Sequence, residues 1–227
     1  MKITILTLFP DIFTGPLNYS ILRIAQEKKL LTFNLVNIRD FGIGRHKIVD
    51  DKPYGGGLGM ILRVDVLDRA IESVKDTKLN TSEQRVVLLS AHGSSFNQKK
   101  AYSFSRLSHL ILICGHYEGF DARVREKIDE EVSVGHFITT GGEIPSMLVT
   151  DAVSRLIPGV LKEEATKFES YSPDLEDSPQ ESYLEYPQYT RPNIYKNSPV
   201  PEILLSGNHK NIVAWRKSKS LKMKNSS

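Results

Sequence analysis

The chain has 227 residues, enough for one substantial core with a small appended module. Its hydrophobic content of 40% and charged content of 25% are ordinary for a soluble globular protein and argue against disorder, and no run approaches the roughly 18 uncharged apolar residues of a membrane-spanning helix. A net charge of +3 permits a polyanionic partner, while the single cysteine, Cys114, excludes an internal disulfide framework and a multi-cysteine zinc site and fits a reducing, cytoplasmic compartment.

Residues 2–9 form a short apolar run with Asp11 close behind and no small-residue cleavage site, and read as a first strand rather than a secretory signal. A helix-length segment, 18–28, follows, then a second apolar run at 32–38. Residues 50–60, DDKPYGGGLGM, place four glycines within five positions and must form a loop. That loop is no dinucleotide fingerprint, because Leu62 stands where the third glycine belongs and the preceding segment is polar. No G-K-[ST] follows any glycine loop, so a nucleotide-triphosphate loop is excluded as well. A helix is expected at 64–75, where Val64, Leu67, Ala70 and Ile71 recur at three- and four-residue spacing. Strands at 85–90 and 109–114 alternate with helices at 97–106 and 120–129, which predicts an α/β fold with a parallel sheet. The most regular helix is 143–157, with Leu148, Ala152 and Leu156 on one stripe and Val149, Val153 and Ile157 beside it; Pro158 and Gly159 stop it. After Leu161 acids, prolines and tyrosines replace the alternation, marking a linker and a small module whose final helix, 210–222, carries Trp215 and a basic tail.

Three glycine-bearing segments, SAHGS (90–94), CGHYEG (114–119) and GHFITTGGE (135–143), each follow an apolar run. Loops at the carboxyl ends of strands are where open α/β sheets bind ligands, so these predict a pocket in which backbone groups approach a ligand closely. Gly141 and Gly142 lead into a helix whose first amides can meet polar ligand atoms. Cys114 and His116 stand two residues apart without the third member of a nucleophilic triad, and Cys114 reads as a packed strand-end residue. The six histidines show no metal-ligand spacing, so no protein-held metal is expected. Arg155 lies four residues after Asp151, the spacing of an ordinary helix salt bridge.

Four long motifs in one order, VDDKPYGGGLGM, CGHYEGFDARV, EEVSVGHFITTGGEIPSMLVTDAVSRLIPGVL and YPQYTRP, resemble the TrmD family of bacterial tRNA (guanine-N1)-methyltransferases in the knotted SPOUT superfamily. The resemblance runs nearly the whole chain. It implies a parallel sheet with a deep trefoil knot over residues 1–161, an acidic linker at 162–185, and a shortened tRNA-binding module at 186–227. It also implies a homodimer with the active site at the subunit interface and methyl transfer from S-adenosylmethionine to N1 of the guanosine at tRNA position 37, 3′ of the anticodon. Motif by motif, cofactor contacts fall on Leu89, Ser90, Gly115, Tyr117, Gly119, Val134, Gly135, His136, Phe137, Ile138, Thr139, Gly141 and Gly142. Glu118, His46 and Asp50 fall on the substrate side. Arg155 takes the place of the family's helix arginine, which raises it above the salt-bridge reading. Asp177 stands at the spacing of the general base, with Glu169 as the alternative because the linker aligns two ways. The family's activity is linked to magnesium, to which no residue here is assigned. Departures include His116 where the family has arginine in CGRYEG, and GHFITTGGE where it has GDYVLSGGE. The alternatives are a knotted methyltransferase with another RNA target and an RNA-binding homologue without catalysis.

Overall fold

The computed structural model describes residues 1–167, 169–172 and 181–224, and the chain divides into two compact units, Met1–Leu161 and Lys162–Ser227. The first is built on a five-stranded parallel sheet of β1 (Lys2–Thr7), β2 (Thr32–Asn37), β5 (Gln84–Ser95), β6 (His109–Cys114) and β7 (Glu130–Ser133), in the order β2-β1-β6-β5-β7. Alternate residues of the inner strands feed two cores, as the two-residue period of a strand requires. Ile3, Ile5, Val87, Leu89, Leu110 and Leu112 pack with α1 (Ser20–Glu27), α3 (Gln98–Ser105) and α4 (Glu143–Ser154) through Leu22, Ala25, Phe104, Val149 and Val153. Leu6, Val86, Leu88, Ile111 and Ile113 pack with α2 (Val64–Val74) through Val66, Leu67, Ala70 and Ile71.

The fully buried polar side chains at the amino ends of these strands are paired. His109 accepts or donates at both ring nitrogens, to Thr4 Oγ1 at 2.8 Å and to Gln84 Oε1 at 2.9 Å, and so ties β1, β6 and β5 together at their amino ends. Burial, with Lys2 nearby, pushes its pKa down to about 4, which keeps the ring neutral.

Several expectations are corrected. The 120–129 segment is not an α-helix: Asp121 caps a 3-10 helix at Ala122–Lys127, accepting from Arg123 N, and only Val124 of that helix is buried. The segment 90–94 is not a simple loop, because β5 continues to Ser95. Leu89 and Ser94 both pair with Val132, so Ser90, Ala91, His92 and Gly93 bulge out between them. A Cβ at Gly93 would lie 2.6 Å from Glu131 C, which reserves that position for glycine. β7 itself, EEVS, was not anticipated. Residues 133–142 lead back from β7, on one side of β5, to the end of β6 on the other, where Gly142 N donates to Gly115 O at 2.7 Å.

In the second unit β8 (Glu181–Leu184) pairs antiparallel with β11 (Leu221–Lys224), so the end of the expected linker is a strand, and the last helix, α6 (His209–Lys219), stops short of Lys222. A hairpin of β9 (Ile194–Tyr195) and β10 (Ser198–Pro199) and the short α5 (Glu202–Leu205) complete it. No helix among the described residues is long and apolar enough to cross a membrane.

Candidate active site

A cleft of about 510 Å³ opens at the carboxyl ends of β5, β6 and β7, within the size range of small-molecule sites. Leu89, Ser90, Gly115, Tyr117, Gly119, Val134, Gly135, Phe137, Ile138, Thr139, Gly141 and Gly142 all line it, and of the residues assigned to a cofactor only His136 does not. Glu118, assigned to the substrate side, is also in the wall. His92, His116, Phe120, Arg125 and Pro145 line the cleft too and were not singled out for it. The charges and small side chains around them carry no periodic signal; position in the loops was the available clue.

Each wall is held by backbone hydrogen bonds. The turn into α4 is fixed by Gly142 N, and Thr139 Oγ1 donates to Gly141 O at 2.8 Å. Glu143, first residue of α4, is buried, and its Oε1 accepts from Thr7 Oγ1 at 2.8 Å. Its Oε2 lies 3.9 Å from His116 Nδ1, and the His116 ring packs edge-on against Phe9 and Tyr117 at 4.9 and 4.8 Å between centroids. Arg39 Nη2 donates to Tyr117 Oη at 3.4 Å. On the opposite side Arg125 grips Glu131 through Nε at 3.0 Å and Nη2 at 3.3 Å.

The glycine-rich loop joins this cleft. Glu118 N donates to Met60 O at 3.1 Å and Leu62 N to Gly119 O at 2.9 Å, and the Glu118 side chain lies against Gly59. Asp50, in β3 (Asp50–Asp51), pairs with Leu62 of β4 (Ile61–Leu62), which in turn bridges to Phe120. Asp50 is half-buried and His46 lies in an exposed turn; neither lines the cleft.

Arg155 is not among the residues that line the cleft. It follows the last turn of α4, and the twelve residues Glu143–Ser154 separate it from Gly142 by about 18 Å at the helical rise. Glu169 belongs to the second unit, where its carbonyl accepts from Ser172 N at 3.1 Å. Asp177 lies outside the described residues. Cys114 is fully buried, in contact with Ser146 Oγ at 3.5 Å, and burial raises its thiol pKa, so it is a packed residue rather than a nucleophile. Among the described residues no group of three or more His, Cys, Asp or Glu side chains could hold a metal ion.

A family model described as tRNA (Guanine-1)-methyltransferase TrmD matches residues 1–226. A tRNA (guanine-N(1)-)-methyltransferase from Carboxydothermus hydrogenoformans is 53% identical over 223 residues, spanning 97% of this chain and 83% of the relative. Proteins of the same name from Syntrophomonas wolfei and Bacillus pumilus are 49% and 47% identical, over 97% and 98% of this chain and 86% and 88% of their own lengths.

Proposed function

This chain belongs to the TrmD family of tRNA (guanine-1)-methyltransferases, and from that premise we propose that it moves a methyl group from S-adenosylmethionine to N1 of the guanosine at tRNA position 37, immediately 3′ of the anticodon. The observation that carries this reading is the cleft at the ends of β5, β6 and β7, where the family-matched cofactor residues converge. Its fit to S-adenosylmethionine is chemical as well as spatial. Apolar walls from Leu89, Phe120, Phe137, Ile138 and Pro145 suit the adenine ring, and glycine-bearing loops let main-chain groups close on its polar edge. The return of residues 133–142 across the end of β5 to Gly115 supports the threaded crossing of a deep trefoil knot.

The bound cofactor supplies a methyl group already activated by its sulfonium. The protein must supply the rest. Guanine N1 carries a proton at neutral pH, and a carboxylate within hydrogen-bond reach takes it as the N1 electron pair forms the bond to the methyl carbon. With S-adenosylmethionine bound, the carbon–sulfur electron pair would return to sulfur as the leaving group, and the carboxylate would keep the proton. Asp177 takes this role, with Glu169 the alternative. Arg155 stabilises the negative charge that develops on guanine O6. Its distance from Gly142 along α4 supports action in the cleft of a second copy, in a homodimer with shared sites. Ile144 and Leu148, one turn apart on α4 and 57% and 46% exposed, with Phe9 and Ile12 at 42% and 45%, provide apolar surface for that interface. Glu118, in the wall beside the glycine-rich loop, faces the guanine.

The test is methyl transfer from labelled S-adenosylmethionine to tRNA transcripts that carry guanosine or adenosine at position 37. Label is expected only in the former, and equal label in both would overturn the position assignment. Asp177→Ala is expected to abolish transfer while cofactor binding survives; full activity there, with loss in Glu169→Ala, would move the base to Glu169.

A further inference from the structure

A second pocket, of about 200 Å³, lies within the C-terminal unit, lined by Tyr186, Pro187, Gln188, Tyr189, Leu204, Ile212, Trp215 and Arg216. It is smaller than the roughly 300–1,000 Å³ of a site for a drug-sized molecule. Its walls are two kinds of flat surface. The Tyr189 and Trp215 rings stand 6.3 Å apart between centroids at 57°, and the Arg216 guanidinium lies 4.8 Å over the Tyr186 ring. The pocket is not the sealed core of this unit. Among the residues from Lys162 onward whose burial is described, only Ser172 is buried, Trp215 is half-buried, and Tyr189 is 49% exposed. Gln188, whose amide donates to Glu185 Oε1 at 2.6 Å, adds a polar edge.

Arg216 in the pocket wall, and the charge of the segment that forms it, indicate what fills it. Residues 186–224 carry eight basic side chains, Arg191, Lys196, Lys210, Arg216, Lys217, Lys219, Lys222 and Lys224, against one acid, Glu202. Aromatic and guanidinium planes in a basic segment are the arrangement that takes an unstacked nucleobase: the rings stack on its face while the cations hold the flanking phosphates. We infer that this pocket binds one unpaired base of the tRNA. The inference rests on the tRNA-methyltransferase reading but adds a recognition point remote in sequence from the methyl-transfer cleft, one that selects single-stranded over paired nucleotides.

Trp215 is the only tryptophan in the chain, so its emission reports this pocket alone. The full-length protein would be titrated with a tRNA transcript, with a short oligoadenylate, and with an RNA duplex of matched charge. Saturable quenching by tRNA and oligoadenylate, but not by the duplex, is expected. Tyr189→Ala is expected to weaken oligoadenylate binding about 10-fold without changing its salt dependence, as lost stacking would. Arg216→Gln and Lys217→Gln each remove one cation and should each lower the salt slope by about one, but only Arg216→Gln should also lose the stacking part. Thermal melting of each variant, followed by circular dichroism against the parent protein, checks that the C-terminal unit is folded. Unchanged Trp215 emission in a protein that still binds and methylates tRNA would overturn the pocket while leaving the activity standing. Equal effects of Arg216→Gln and Lys217→Gln would reduce it to a charged patch. Quenching that follows protein concentration in the absence of RNA would assign it to self-association instead. Failure to bind tRNA by any measure would overturn both readings.

Discussion

Replacing Gly142 by alanine tests whether the turn into α4 is set by close backbone approach. A Cβ at that position would stand 2.6 Å from Cys114 Cα, 2.7 Å from Gly115 N and 3.0 Å from Cys114 C. Carbon contacts are comfortable near about 3.5–4.0 Å, so the turn must retreat by about 1 Å. All three obstacles are backbone of β6 and its end, buried in the sheet, and cannot yield as a side chain could. A retreat of that size stretches the 2.7 Å bond from Gly142 N to Gly115 O beyond hydrogen-bond range. Losing it costs about 1 kcal/mol and residual overpacking about 1–3 kcal/mol, so a loss of about 2–4 kcal/mol is expected. For a domain of this size that corresponds to a fall in Tm of about 5–15 °C, read by scanning calorimetry on the cofactor-free protein. S-adenosylmethionine affinity, read by titration calorimetry, should fall at least about tenfold, because Gly141 and Gly142 line its cleft. Gly15→Ala is the control: its φ of −72° suits alanine, and nothing lies within 4 Å of the added carbon. A Gly142→Ala protein that melts and binds like the Gly15→Ala control would refute the reasoning.

Two further outcomes follow from buried titratable groups. His109 has a folded pKa of about 4 against an ordinary value of 6.5, so the unfolded chain binds more protons between those values and stability rises with pH across that window. Its contribution should be complete above pH 6.5 and shrink as pH falls toward 4, by up to about 3 kcal/mol; urea unfolding would show this, and His109→Gln, which cannot titrate, should flatten that part of the profile. Cys114, buried with its thiol pKa raised, should resist a water-soluble disulfide reagent in the native protein and react fully only after denaturation, with rapid native labelling counting against the packing described.

The sequence made the sheet's centre plain and its margin obscure, for identifiable reasons. His109–Cys114 is apolar throughout because it is buried on both faces, so composition alone marks it. β7 hides because Glu130 and Glu131 occupy a strand by pairing with cations outside it: Arg85 at 3.2 Å and Lys100 at 2.5 Å for the first, Arg125 for the second. Such pairings have no sequence spacing to betray them. Residues 120–129 mimic an α-helix through Phe120, Val124 and Ile128, but the Asp121 carboxylate, held by Arg123 and with its pKa lowered to about 2, caps a tighter turn instead. In the site, the loops at the strand ends were legible as a pocket before any likeness was considered. The place of Arg155 was legible as well: the helix expected at 143–157 already put it at the end away from the Gly141–Gly142 turn, and α4 keeps it there.

The excursion at Ser90–Gly93 bears on how such a chain tolerates insertions and deletions. A residue added or removed within Val86–Leu89 would turn every following side chain to the opposite face and exchange the two cores' ligatures of Val86 and Leu88 for those of Val87 and Leu89. Between Leu89 and Ser94, both paired to Val132, the chain already runs four residues without consuming register. Length can change there without shifting either flanking ladder, so the rim of the cleft can be lengthened or trimmed while the sheet beneath keeps its pairing.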